Sequence, residues 1–237
     1  VIALFPTTLV LVQPDLGTAL MMVFTALTII LFSKPSWPVN VALGLAFVLG
    51  IGVLWNDYVR VQNTEQRFTI IRHKLKKHQD ARITGWLDPT SDLKGSNYHA
   101  MQSKIAVGSG GVNGKGWMEG TQTGLRYLPE QHTDFIFNTL AEEFGFVGAF
   151  SLLSLYVLLI FFCFTSAMSN RDRFASIMTF GIATAFFLLV AINMGMVMGL
   201  MPVVGLPLPL VSYGGSAMII LMAGFGLVQS AHIHRPR

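Results

Sequence analysis

Residues 174–231, FASIMTFGIATAFFLLVAINMGMVMGLMPVVGLPLPLVSYGGSAMIILMAGFGLVQSA, contain no formal charge. A helix needs about 20 apolar residues to cross roughly 30 Å of hydrocarbon, so the stretch suits two crossings. They are separated near Met201 to Pro209, where three prolines and Gly205 cannot continue a helix. Upstream, uncharged runs mark further spans at Phe144 to Asn170, Pro35 to Asn56 and Leu16 to Ser33. Val1 to Val12 is apolar but too short, and reads as the remaining half of a helix whose beginning is missing. The expectation is five complete crossings and one truncated.

Composition agrees. With 52% hydrophobic and 12% charged residues, the chain has too little polar surface to stay dissolved as a globule, which excludes a solvent-exposed enzyme of ordinary type. The net charge of +4 is not gathered into a dense basic patch with exposed aromatics, so anionic lipid is the expected partner and nucleic acid is not. The single cysteine, Cys163, supports neither a disulfide framework nor a thiolate zinc site. The expected fold class is an all-α polytopic membrane protein, a bundle of transmembrane helices with one large extracytoplasmic loop. Residues 1–56 hold the truncated helix and two spans, 57–143 the loop with short amphipathic helices, and 144–237 three spans, all in a single membrane domain.

Lys34, Arg171 with Arg173, and Arg235 with Arg237 occupy alternate span ends, with Asp172 the only acid among them. By the positive-inside rule those ends, and the C-terminus, are cytoplasmic. Asp57 to Glu143 then lies outside; its 11 bases do not conflict, because loops beyond roughly 60 residues escape the rule. Within it, Arg60 to Arg82 reads as a solvated or interfacial basic segment, and Trp86 to Asp92 as a turn cluster. Tyr98 to Val107 can form a short amphipathic helix lying flat on the membrane, with Ser96 or Asn97 as cap and Gly108 as stop.

The glycine string Gly108 to Gly116 fails as a Walker loop, having Ser109 and Gly116 at the wrong positions, and as a dinucleotide fingerprint, having Asn113 at the third glycine. It leaves a flexible backbone with Lys115 available for a phosphate. Asp134 stands where the loop enters a span, so it either caps that helix or works at the membrane edge. Asp134, Asn138 and Glu142 recur every four residues and drift by only about 40° per step, a polar stripe suited to lining a pocket open to the outside, with Glu143 pointing elsewhere. Asp15, in Gln13 to Thr18, favours the start of a span and is placed to contact the loop. His99 and His132 lack a third ligand and do not make a zinc signature. Gly195 and Gly199 form a small-xxx-small pair suited to close helix packing, and Asn193 can hydrogen-bond across helices.

Five blocks in order, QPDLGTA at Gln13 to Ala19, QSKIAVGSGGVNGKGW at Gln102 to Trp117, LPEQHTDFIF at Leu128 to Phe137, AEEFGFVG at Ala141 to Gly148 and GLPLPLVSYGGS at Gly205 to Ser216, closely resemble the SEDS family (shape, elongation, division and sporulation). GKGW and PLPLVSYGGSA resemble its RodA branch rather than its FtsW branch. Family members have about ten spans, so the chain resembles the later part of one, and is not expected to be active alone. The basic insert around Gln62 to Asp80 is longer than the family pattern. The resemblance implies a bacterial peptidoglycan glycosyltransferase of cell elongation and shape. Such an enzyme polymerises lipid II, carried on undecaprenyl pyrophosphate, at the outer face of the cytoplasmic membrane with a class B penicillin-binding protein.

The resemblance also implies that Asp134, in the TDF block, is the catalytic residue. The chemistry agrees: an acceptor hydroxyl must lose its proton as the pyrophosphate leaves, which one positioned carboxylate can serve as base. Lys104, Lys115 and Arg126 are the loop cations available to the pyrophosphate, with Mg or Mn as the one candidate cofactor, and Asn138 and Glu142 the further candidate substrate contacts. Two other classes fit the pattern: a transporter that flips the lipid-linked precursor, given the broken Pro202 to Pro209 segment, and a scaffold that docks a cell-wall synthase.

Overall fold

Charge-free sequence becomes helix over most of the described residues. The computed structural model describes residues 4–12, 16–33, 37–39, 41–45, 48–49, 86, 98–124 and 132–234. Its helices are α1 (Leu4–Val12), α2 (Leu16–Phe32), α3 (Tyr98–Ser109), the single turn α4 (Thr121–Gly124), α5 (Ile136–Ser169), α6 (Arg173–Val197) and α7 (Gly215–Ile233). The last three are long and apolar enough to cross a membrane, and α2 follows the expected span closely. Residues 37–39, 41–45 and 48–49 are helical within the expected second span, the rest of which lies outside the described residues.

α6 is the centre: α5, α2 and α7 all pack on it, and α3 lies against α5 and α6. Its most apolar window is 39% buried, against 11% in α5 and in α7, so those two turn most of their surface to lipid. Phe146, Phe150, Val157 and Phe161, at helical spacing on α5, are each more than half exposed, as only hydrocarbon makes reasonable. Between the helices Tyr156, Phe186, Met196, Val197 and Leu208 form the core. Tyr156 and Phe186 meet edge to face, and the Tyr156 hydroxyl donates to the Pro209 carbonyl at 2.6 Å. That bond satisfies a hydroxyl that hydrocarbon would leave unpaired, and ties α5 to the irregular segment between α6 and α7.

The ends are fixed by polar side chains. Asp172, the acid of the basic connection between α5 and α6, caps α6 by accepting from the Phe174 and Ala175 N–H groups. Asn170 donates to the Ala231 carbonyl at 2.8 Å, and Ser166 pairs with His232, so one end of α5 is stapled to one end of α7.

The glycine pair expected to pack helices does something else. Gly199 has φ +75°, its N–H bonds to Met196 O, and Leu200 N–H bonds back to Gly195 O at 2.8 Å, which is a Schellman cap on α6. A Cβ at Gly195 would meet Met201 of the same turn. The close helix contact supplied by a small residue lies instead at Gly181, where a Cβ would fall 2.8 Å from Ile29 of α2.

Candidate functional site

α5 is interrupted near its start. Gly145 has φ 63° and ψ −158°, outside the helical region and open essentially to glycine alone, so residues 136–144 and 146–169 are two helical pieces. A break strands carbonyls on one side and N–H groups on the other. The glycine string fills both needs. Lys115 and Gly116 N–H donate to the carbonyls of Glu142 and Glu143, while Phe146 and Val147 N–H donate to those of Gly111 and Val112, all between 2.9 and 3.1 Å. Side chains would prevent this docking: a Cβ at Gly110 would collide with the Ala141 carbonyl, and one at Gly114 with the Glu143 carbonyl.

One ion pair locks the seat. Glu142 is fully buried and accepts from Lys115 Nζ at 2.7 Å, from Gln122 N at 2.9 Å and from the Thr121 hydroxyl at 3.2 Å. Lys115 also donates to Thr121. The reading of Lys115 as a phosphate ligand and Glu142 as a substrate contact therefore meets a competing fact: each is already engaged with the other. Asn138 is likewise only 2% exposed, with its Oδ1 3.1 Å from the Ser103 hydroxyl of α3, which also lies 2.6 Å from Val197 O. The face carrying Asn138 and Glu142 is covered by α3, α4 and the glycine loop, so it does not line an open pocket. Asp134 does not share that face, because α5 begins at Ile136 and Asp134 sits in the preceding turn.

That turn is tethered at three successive residues. His132 O accepts from Tyr213 N at 3.1 Å, Thr133 O from the Ser212 hydroxyl at 2.6 Å, and Asp134 O from Asn193 Nδ2 at 2.8 Å. Ser212 accepts in turn from Leu208 N, and the second hydrogen of the Asn193 amide goes to Leu206 O at 2.6 Å. The backbone of Asp134 is thus clamped between α6 and the proline-rich segment 202–214. The N-cap residue of α5 is Phe135, with no side-chain cap bond of its own. The carboxylate is part-exposed and lies over Gly205: a Cβ at that φ +80° glycine would stand 3.3 Å from Oδ2. Alongside, His132, Ile136, Val211, Tyr213 and Met218 contribute to a largely apolar groove of about 680 Å³.

The remaining candidates are spread around this centre. Lys104 is exposed on α3, its stem lying over Gly199 at the end of α6. Gly17 packs under Val204, which brings the start of α2 against the segment that carries Gly205, while Asp15 and Arg126 lie outside the described residues. Among the described residues no group of three or more His, Cys, Asp or Glu could hold a metal ion. Sequence reasoning missed Ser212, Thr121 and the break at Gly145. It singled out Asn193 for a bond across helices, but the partners are carbonyls of two irregular segments, which helical spacing could not indicate.

Comparison with known proteins gives this geometry a context. The chain is 47% identical over 238 residues to the peptidoglycan glycosyltransferase MrdB of Escherichia coli, covering 99% of this chain and 59% of that one. It is 37% identical over 226 residues to MrdB of Helicobacter pylori, covering 95% and 54%. The chain thus spans between half and two thirds of the length of these relatives. Among solved structures, a chain from work titled as the structural coordination of polymerization and crosslinking by a peptidoglycan synthase complex superposes with TM-score 0.75 at 31% identity, over 99% of this chain and 60% of that one. An alanine mutant of the rod shape determining protein RodA of Thermus thermophilus gives TM-score 0.59 at 28% identity, over 99% and 55%. The model of the FtsW, RodA and SpoVE cell cycle proteins matches residues 1–237 from end to end, and the chain belongs to that family.

Proposed function

We propose that the protein of which this chain is part is a peptidoglycan glycosyltransferase that polymerises lipid II at the outer face of the bacterial cytoplasmic membrane, with Asp134 as general base. One observation carries the reading: a part-exposed carboxyl on a turn tethered at three successive carbonyls, beside an apolar groove. A base is effective when held within reach of the hydroxyl it deprotonates, and a fixed backbone supplies that placement in advance. The groove, bordered by His132 and Ile136 on either side of Asp134 in sequence, would offer the polyprenyl chain an apolar surface near the turn that bears the carboxyl, so that the sugar end is brought to Asp134 while the lipid stays in its own phase. Lys104 and Arg126 are the cations we assign to the leaving pyrophosphate, since Lys115 neutralises Glu142. Mg or Mn would arrive as a counter-ion of that pyrophosphate. The outer ends of α5, α6 and α7 and the loop between residues 57 and 143 face outward. A class B penicillin-binding protein is the proposed partner, consistent with the synthase complex named for the matched structure.

The test is glycan chain formation from lipid II by the full-length protein with its partner. Asp134→Asn should abolish polymer while leaving the protein folded. Undiminished polymer would remove the assignment, and movement of labelled lipid II between leaflets without polymer would favour the transporter.

A further inference from the structure

Asn193 is fully buried on α6, yet an apolar residue would pack that position at lower cost. Both hydrogens of its amide nitrogen are used, one on Asp134 O at 2.8 Å and one on Leu206 O at 2.6 Å. Its Oδ1 is buried with no hydrogen-bond partner. Two carbonyls facing one nitrogen fix the amide's orientation, because the flipped amide would set oxygen against oxygen. A buried acceptor left unmet is costly, so the amide is kept for what its nitrogen holds.

What it holds is the relation between two irregular segments. The other two tethers of the 132–134 turn, Ser212 and Tyr213, belong to the segment 202–214 and would shift with it. The Asn193 tether alone among these three comes from a membrane-spanning helix, and it reaches the residue that carries the carboxyl. The same amide pins Leu206, next to the Gly205 over which the carboxylate lies. We infer that Asn193 is a positioning residue, which fixes the Asp134 carboxyl against the frame of α6 and acts on the reaction only through it. This rests on Asp134 being the base.

The full-length protein with its partner is assayed on lipid II for kcat and KM, beside melting temperature and lipid II binding. Asn193→Leu removes both donors at similar volume, and Asn193→Ser keeps one. A displacement of order 1 Å costs up to about 100-fold in rate, so Asn193→Leu should lower kcat by about 10- to 100-fold and Asn193→Ser by less, with KM close to wild type; the carbonyls left unmet should lower the melting temperature, while the protein assayed well below it stays folded. In an Asp134→Asn background, adding Asn193→Leu should change neither lipid II binding nor residual rate. Wild-type kcat in both Asn193 variants, a loss confined to KM, or a kcat loss that follows the melting temperature in both would overturn the inference. If Asp134→Asn is inactive while the Asn193 variants keep full kcat, positioning alone fails. If Asp134→Asn is fully active, the base assignment falls and positioning with it.

Discussion

A methyl group on residue 205 would sit against the carboxylate of Asp134, in a backbone conformation that side chains rarely adopt. Gly205→Ala should therefore act twice: a strain of about 1–2 kcal/mol from the positive φ, and a displaced or masked carboxyl. Gly111→Ala separates the two effects, because residue 111 also has positive φ (+57°) but open space around its Cβ. Melting temperatures of the full-length variants should fall by similar amounts, while polymerisation drops at least about tenfold for Gly205→Ala and much less for Gly111→Ala. Equal activity losses would show that strain alone matters at 205. At this scale Asp134 was legible in the TDF block, but its surroundings were not. The four-residue spacing placed it on a stripe with Asn138 and Glu142, whereas the helix starts after it and the turn follows bonds from Asn193 and Ser212, distant in sequence.

In α5 the uncharged run and the helix have different starts. The run begins at Phe144, after Glu142 and Glu143, whereas the helix begins at Ile136 and carries both acids buried, Glu142 paired with Lys115. The break at Gly145 leaves no trace in apolar periodicity, since what stabilises it is the glycine string docked on its free backbone groups. Lys115→Met would leave a wholly buried carboxylate with two neutral donors, at a cost of roughly 3 kcal/mol. The expected result is a lower melting temperature and faster amide hydrogen exchange at residues 110–116 and 142–147, with the C-terminal ends of α5 and α7 unchanged. Uniformly faster exchange along α5 would mean that the pair supports the whole helix rather than the docked loop. Gly145→Ala should give the same local signature without any change in charge, because a Cβ there would collide with the Gly114 backbone.

For the molecule as a whole, apolar run lengths revealed α5, α6 and α7 because hydrocarbon thickness imposes such lengths. The arrangement around α6 was not legible, since in lipid it depends on contacts such as Gly181 on Ile29 rather than on a pattern of apolar residues. The orientation proposed from Lys34, Arg171 and Arg173 decides whether Asp134 meets substrate at all, since the proposed reaction happens at the outer face. The lone Cys163 allows a direct check: it is 1% exposed, packed with Ala183 and Val228 between three helices, and should stay silent toward a maleimide that does not cross membranes. Single cysteines can then be placed at Glu119 in the loop and at His234 beyond α7, both exposed. In the full-length protein, Glu119→Cys should label in intact spheroplasts above the unmodified level, and His234→Cys only after permeabilisation. The reverse pattern would put Asp134 on the cytoplasmic side, away from the proposed polymer, and the glycosyltransferase assignment would fail even with every hydrogen bond around the turn intact.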